Sequence, residues 1–216
     1  MSDWPRFCEL PDELADPATA AAAILPVPYD RASTWKKGAD KGPLAILEAS
    51  HHIEWYDLAT SWEMCRLGIA TLGPVLCEDD PETLADVVDT RVTELLESGP
   101  LPVVLGGDHS VSIGAIRAAA RAFDDLTVLQ IDAHADTRES YAGSSHVPAT
   151  GTPEPGGLDW YQVTGLLAAV AESRRVVGFD VVELLPTPGQ WASEFLAAKL
   201  VYRFLSMIFR SYQPSR

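Results

Sequence analysis

A chain of 216 residues with 47% hydrophobic content is long enough to bury the core of one α/β domain. Its formal net charge of −15 argues against nucleic acid and anionic membrane surfaces as partners; it is compatible with a small cationic molecule, but acidic soluble proteins are common. Cys8, Cys65 and Cys77 lack metal-type spacing, which points to free thiols in a reducing compartment. No charged-then-apolar amino-terminal signal and no apolar run of membrane-spanning length is present, so the expected location is the cytoplasm.

Residues 1–20 carry Pro5, Pro11 and Pro17 among acidic residues and read as an irregular lead-in. Ala21–Val27 is apolar and ends at a Pro-x-Pro bend, the pattern of a first strand. Arg31–Gly42 is polar, cationic and glycine-containing, a loop at the sheet edge. Pro43–Ser50 begins with proline at the first helical position, and His51 and His52 cap this helix rather than bind metal. Ile53–Tyr56 reads as a short strand and Ile69–Leu76 as a longer one. Asp80-Pro81 starts a helix whose apolar positions Leu84, Val87, Val88, Val92, Leu95 and Leu96 recur at helical spacing until Gly99-Pro100 stops it. Further along, 158–173 reads as an amphipathic helix, 175–182 as a strand and 195–209 as a strongly apolar helix closing against the sheet. No repeat or linker divides the chain, so one domain spanning 1–216 is expected.

The stretch from Leu105 to Asp136 carries the chemistry. Apolar runs at Pro102–Leu105 and Thr127–Ile131 read as buried strands, with a helix over Val111–Phe123 between them. Strand, helix, strand of this length is a βαβ unit, which pairs its strands in parallel. Gly106-Gly107-Asp108-His109-Ser110 and Asp132-Ala133-His134-Ala135-Asp136 then emerge at the carboxyl ends of neighbouring strands, where open α/β sheets place their sites. Side chains alternate along an extended backbone, so Asp132, His134 and Asp136 point to one side. One imidazole with two carboxylates suits a divalent cation such as Mn²⁺, and His109 is placed to add a fourth ligand. The competing reading is ordinary: Asp, His and Ser are common helix-cap and loop residues after a strand.

These motifs resemble the metal-binding signature of the ureohydrolases, the family of arginase, agmatinase and formiminoglutamase. Val27-Pro28-Tyr29-Asp30, Lys37-Gly38-Ala39-Asp40-Lys41-Gly42-Pro43 and Ile46–Ser50 are similar to the agmatinase-type amino-terminal region. Gly151–Gly157 resembles the family's GTPE-x-GG loop, and Gly178–Glu183 its last core strand. The resemblance implies a three-layer αβα fold with a mainly parallel sheet and two Mn²⁺ ions that activate water against a guanidinium carbon. It implies His109 and Asp136 on one ion, His134 on the other, Asp132 as a bridge, and Glu183 pairing with the substrate guanidinium. It also implies a homo-oligomer and conversion of agmatine to putrescine and urea, a step of polyamine biosynthesis.

One departure cuts across these matches. The family's second carboxylate motif, S-x-D-x-D-x-x-D-P, completes the two-metal site and has no counterpart here. Ser145–Thr150 resembles the tail of that segment, while Arg138–Gly143 resembles the loop directly after Asp136, so two normally distant stretches abut near Ser144. An internal deletion is the simplest account; it removes some central and edge strands, including one lying between the Asp132 strand and the Gly178–Glu183 strand. His146 matches either the family's catalytic proton shuttle or the histidine of the lost segment, and its Ser-His-Val-Pro context favours the second. The expectation is therefore at most one Mn²⁺ and impaired hydrolysis; the alternative is a non-catalytic ureohydrolase-like subunit or a defective gene product.

Overall fold

A computed structural model of the chain describes residues 4–33, 36–132 and 157–211. Among these residues four parallel strands, β1 (Ala22–Val27), β2 (Ile69–Thr71), β3 (Leu101–Gly106) and β4 (Phe179–Val181), lie in the order β2-β1-β3-β4. β1 and β3 pair over six residues, from Ala22 opposite Leu101 to Val27 opposite Gly106. Around them run α1 (Asp12–Ala15), α2 (Gly42–Ser50), α3 (Pro81–Ser98), α4 (Val111–Ala122), α5 (Trp160–Ser173) and α6 (Ala192–Ser211).

Alternation along the strands creates the three layers. Ile24, Val103 and Leu105 face Ile46 and Leu47 of α2 and Val201, Tyr202 and Leu205 of α6. Leu25, Val27 and Val104 face Leu84, Val88 and Val92 of α3 and Val111 and Ala118 of α4. Covered on both sides, β1 is buried at all six positions, as a parallel strand must be. Each such aliphatic side chain contributes about 1.5–3 kcal/mol on burial. On the outside, α5 stacks on α6 through Leu167, Ala171, Phe204 and Ile208.

Helix ends follow their sequence signals. The Asp80 carboxylate accepts the N–H groups of Glu82 and Thr83 at 2.9 and 3.0 Å, and Gly99 ends α3 with φ 110°. Asp159 and Gln162 form a capping box on α5. Where α4 crosses α3, Gly114 lies so close that a Cβ would overlap the Ala85 carbonyl oxygen and stand 2.8 Å from the Asp89 nitrogen. In an open helix Gly→Ala gains up to about 1 kcal/mol. Here Gly114→Ala is expected to cost about 1–3 kcal/mol through overpacking, read as a lowered urea midpoint; a raised midpoint would contradict the packing.

Several expected elements differ. Thr127–Ile131 is not a strand, and Val128, Leu129 and Ile131 are 54%, 52% and 45% exposed. The physical reason is visible at β3: its free edge is taken by β4, with Val103 opposite Phe179 and Leu105 opposite Val181. The expected βαβ unit therefore does not close, because no sheet edge receives Thr127–Ile131 among the described residues. Ile53–Tyr56 is a turn leading to an antiparallel bridge between Asp57 and Trp62 rather than a strand. β2 and β4 are each only three residues long, shorter than the apolar runs that contain them. The amino-terminal segment is not irregular throughout. A 3-10 turn at Phe7–Glu9 and the short α1 bury Phe7, Cys8 and Leu10, and the Phe7 and Cys8 N–H groups donate to Thr71 Oγ1 and Ser50 Oγ. All three cysteines are free. No helix among the described residues is long and apolar enough to cross a membrane.

Candidate functional site

The carboxyl ends of β1, β3 and β4 converge on the Gly106–Ser110 turn. Gly107 is clasped from both sides: its N–H donates to Val27 O at 3.1 Å, and its carbonyl accepts the Glu183 N–H at 2.6 Å. A Cβ at Gly107 would overlap the Tyr29 carbonyl oxygen, so the turn needs glycine for close backbone approach. Next to it, the Asp108 N–H donates to Tyr29 O at 2.7 Å. The Asp108 side chain, fully buried, accepts the Ala32 N–H at 2.7 Å, the Ser110 N–H at 3.0 Å and the Ser110 hydroxyl. Burial pushes its carboxyl above the ordinary range, against the pull of Ser110 and Ala32.

His109 follows, at the head of α4. Its Nδ1 lies 3.4 Å from Asp132 Oδ2, with the two side chains 15% and 12% exposed. Asp180 sits opposite Val104 on β4, and burial pushes its carboxyl up while the Ser112 hydroxyl and His109 work to lower it. Glu183, two residues beyond β4, has φ 68°. A left-handed non-glycine residue costs about 1–2 kcal/mol, and here the bond to Gly107 O holds it. Strain of this kind clusters at functional sites.

The structure thus brings His109 and Asp132 together and sets Glu183 on the same Gly107 junction. This occurs although Thr127–Ile131 is not a strand, so Asp132 reaches His109 as a loop residue, not from a neighbouring strand. His134, Asp136 and His146, the Ser144 junction and residues 151–156 of the GTPE loop lie outside the described residues. Among the described residues no group of three or more His, Cys, Asp or Glu side chains is arranged to hold a metal. The pair itself is compatible with one ion: donors on adjacent corners around a small divalent cation, with bonds of about 2.1 Å, stand about 3 Å apart. His51 caps α2 as expected, with its Nε2 3.1 Å from Arg6 O.

Sequence reasoning missed Asp108 and Asp180. Both had a signal: a carboxylate set within an apolar strand or between glycine and histidine is a charge with no cheap place to go. A cavity of about 290 Å³ lined by Leu96, Pro100, Phe123, Arg175 and Phe209 lies by the amino end of β3, the opposite end from His109, and takes no part in this site.

The model of the arginase family matches residues 20–147 and 143–206. The chain belongs to the arginase family. As a family member it is a hydrolase acting on C–N bonds of linear amidines by descent. It is 28% identical to an N(1)-aminopropylagmatine ureohydrolase of Synechocystis sp., in an alignment of 274 residues covering 87% of this chain and 89% of that protein. Its fold superimposes on the agmatine ureohydrolase of Thermoplasma volcanium with TM-score 0.85 at 23% identity, covering 93% of this chain and 94% of the other. It also superimposes on Trypanosoma cruzi formiminoglutamase with Mn²⁺, TM-score 0.82 at 18% identity, covering 98% and 100%.

Proposed function

We propose that this arginase-family chain is an agmatinase-like, Mn²⁺-dependent amidinohydrolase with impaired activity, acting on a guanidino compound, agmatine first. The observation that carries this reading is the approach of His109 Nδ1 to Asp132 Oδ2 at the head of α4. His109, Asp132, His134 and Asp136 would hold the metal. When bound, the metal lowers the pKa of a water and so supplies a nucleophile at neutral pH. Glu183 pairs with the substrate guanidinium, a bidentate contact that orients as well as attracts. Its tether to Gly107 keeps that contact next to the turn bearing His109.

The impairment is supported by how the family aligns. Its model matches in two stretches that meet at residues 143–147, around Ser144. An alignment of 274 residues that covers 87% of a 216-residue chain leaves part of the relative without a counterpart. That is what a deletion of the S-x-D-x-D segment produces. His146 is then the histidine of the lost segment rather than a proton shuttle. The chain works as one cytoplasmic domain, residues 1–216, in a homo-oligomer. The half-exposed Thr127–Ile131 and the β4 edge support a second reading, a non-catalytic subunit assembled with intact relatives.

Urea release from agmatine separates the two. Slow, Mn²⁺-dependent turnover that disappears in Glu183→Gln is expected. Complete inactivity of pure protein at saturating Mn²⁺, with stable incorporation into oligomers of an intact relative, would favour the second reading instead.

A further inference from the structure

We infer that Asp108 is a positioning residue whose buried carboxylate bolts the loop leaving β1 to the turn that carries His109, thereby fixing the direction of the His109 imidazole. This rests on the reading of His109 as a metal-facing side chain, and it assigns a role to a residue outside the expected ligand set.

The geometry is that of an acceptor-only socket. Three donors, the Ala32 N–H at 2.7 Å, the Ser110 N–H at 3.0 Å and the Ser110 hydroxyl, converge on the two oxygens of one fully buried carboxylate. The Ala32 N–H meets Oδ2, and both Ser110 groups meet Oδ1. A carboxylate is the side chain that presents an oxygen to each of these two backbone N–H groups. Asparagine at 108 would have to turn its NH₂ toward one of the two sides, placing donor against donor. Burying a carboxylate costs several kcal/mol unless its lone pairs are filled, so a turn that needed only a cap would not require one.

The consequence falls on His109 because both of its neighbours are pinned. Asp108 is held through its own N–H to Tyr29 O and through its carboxylate to Ala32, and Ser110 is held to Asp108. His109 O accepts the Ser112 N–H at 3.1 Å, which locks the third side of the same peptide run. With the backbone held on these sides, the imidazole is directed toward Asp132, whose Oδ2 lies 3.4 Å from Nδ1. The bolt also reaches farther along the loop leaving β1. Ser33, next to Ala32, donates its hydroxyl to Asp30, whose carboxylate accepts the Gly38 and Ala39 N–H groups at 2.5 and 3.1 Å. The direction of His109 and the placement of Asp30, Ala32 and Ser33 are therefore tied to the same carboxylate.

The test uses the full chain without metal and then with Mn²⁺ alone. In Asp108→Asn, amide exchange at Ala32 should rise at least tenfold, and the His109 ring resonances should move toward those of a solvated histidine. His51, bonded to Arg6 O, and the amides of α6 should stay unchanged. Mn²⁺ affinity, followed by electron paramagnetic resonance, should fall about 10–100-fold, the usual size for losing a contact that orients a metal-binding side chain. Unchanged Ala32 exchange and His109 resonances in a folded variant would overturn the inference. If Asp108→Asn does not fold, Ser110→Ala carries the test: it removes the hydroxyl donor alone, and His109 signals identical to wild type would overturn it equally. Wild-type protein that binds no Mn²⁺ would end the metal reading while leaving the resonance and exchange tests of the bolt intact.

Discussion

Arg203→Ala is expected to destabilise the protein by about 3–5 kcal/mol, the usual result of stranding one partner of a buried ion pair. Asp57 is fully buried, and Arg203 Nε reaches its Oδ2 at 2.9 Å. The other carboxylate oxygen accepts the Ala59 and Thr60 N–H groups at 2.9 and 3.0 Å. Arg203 also lies over the Trp160 ring at 5.3 Å, so one side chain of α6 ties the 55–62 turn to the start of α5. Tyr202, beside it, donates its hydroxyl to Trp55 O. Burial works to raise the Asp57 carboxyl, but the Thr60 N–H and the Arg203 guanidinium outweigh it and hold it below the usual range. A depressed folded-state pKa contributes stability that is present above the unfolded-state value and is lost as pH falls through the folded one. Arg203→Ala should therefore unfold at a lower urea midpoint than wild type near neutral pH, and the gap between the two should narrow as pH falls and Asp57 takes up a proton. In the cycle with Asp57→Ala, the double variant should recover part of the loss, because the stranded charge is gone. Removing the exposed Arg117–Asp86 pair should change the midpoint by no more than about 1 kcal/mol. Equal effects from the two pairs would sink this account.

What the sequence made legible was local. The cap at Asp80, the stop at Gly99 and the apolar spacing of α3 each follow from a few adjacent residues, and each is present. So too for β1, β3 and the glycine turn, where a run of apolar residues meets a residue pair that only a tight backbone approach requires. The Thr127–Ile131 strand failed for the opposite reason. Its own residues suit a strand well, but a strand exists only where a neighbour offers an edge, and β4 had already occupied that of β3. A chain lacking the strand between the Asp132 and Gly178–Glu183 segments leaves the first without that neighbour to pair with. The Asp57–Arg203 contact, across 146 residues of sequence, had no local signature at all. The contact of Asp108 with Ala32 had no local signature either, because the two lie 76 residues apart in sequence.

After exhaustive dialysis and reloading, the protein is expected to hold at most one Mn²⁺ per chain, and His109→Ala to weaken that binding about 100-fold or more. The argument is one of charge. Two divalent ions in a hydrolytic pair stand about 3.5–4 Å apart, and at an effective dielectric near 20 their repulsion is roughly 17–19 kcal/mol. Bridging and terminal carboxylates must offset it. Of the expected ligands here, only Asp132 and Asp136 carry negative charge, against a family pattern that adds two further aspartates from the S-x-D-x-D segment. Asp180 is not among these ligands; it sits opposite Val104 on β4, and burial pushes its carboxyl up. Two carboxylates and two imidazoles suffice for one cation but leave a second without enough counter-charge to remain. Metal analysis is the direct measurement, with His51→Ala as the control that should bind as wild type does. Two equivalents retained through dialysis, together with agmatine turnover, would mean that the missing aspartates are supplied from elsewhere, most directly by another copy of the chain.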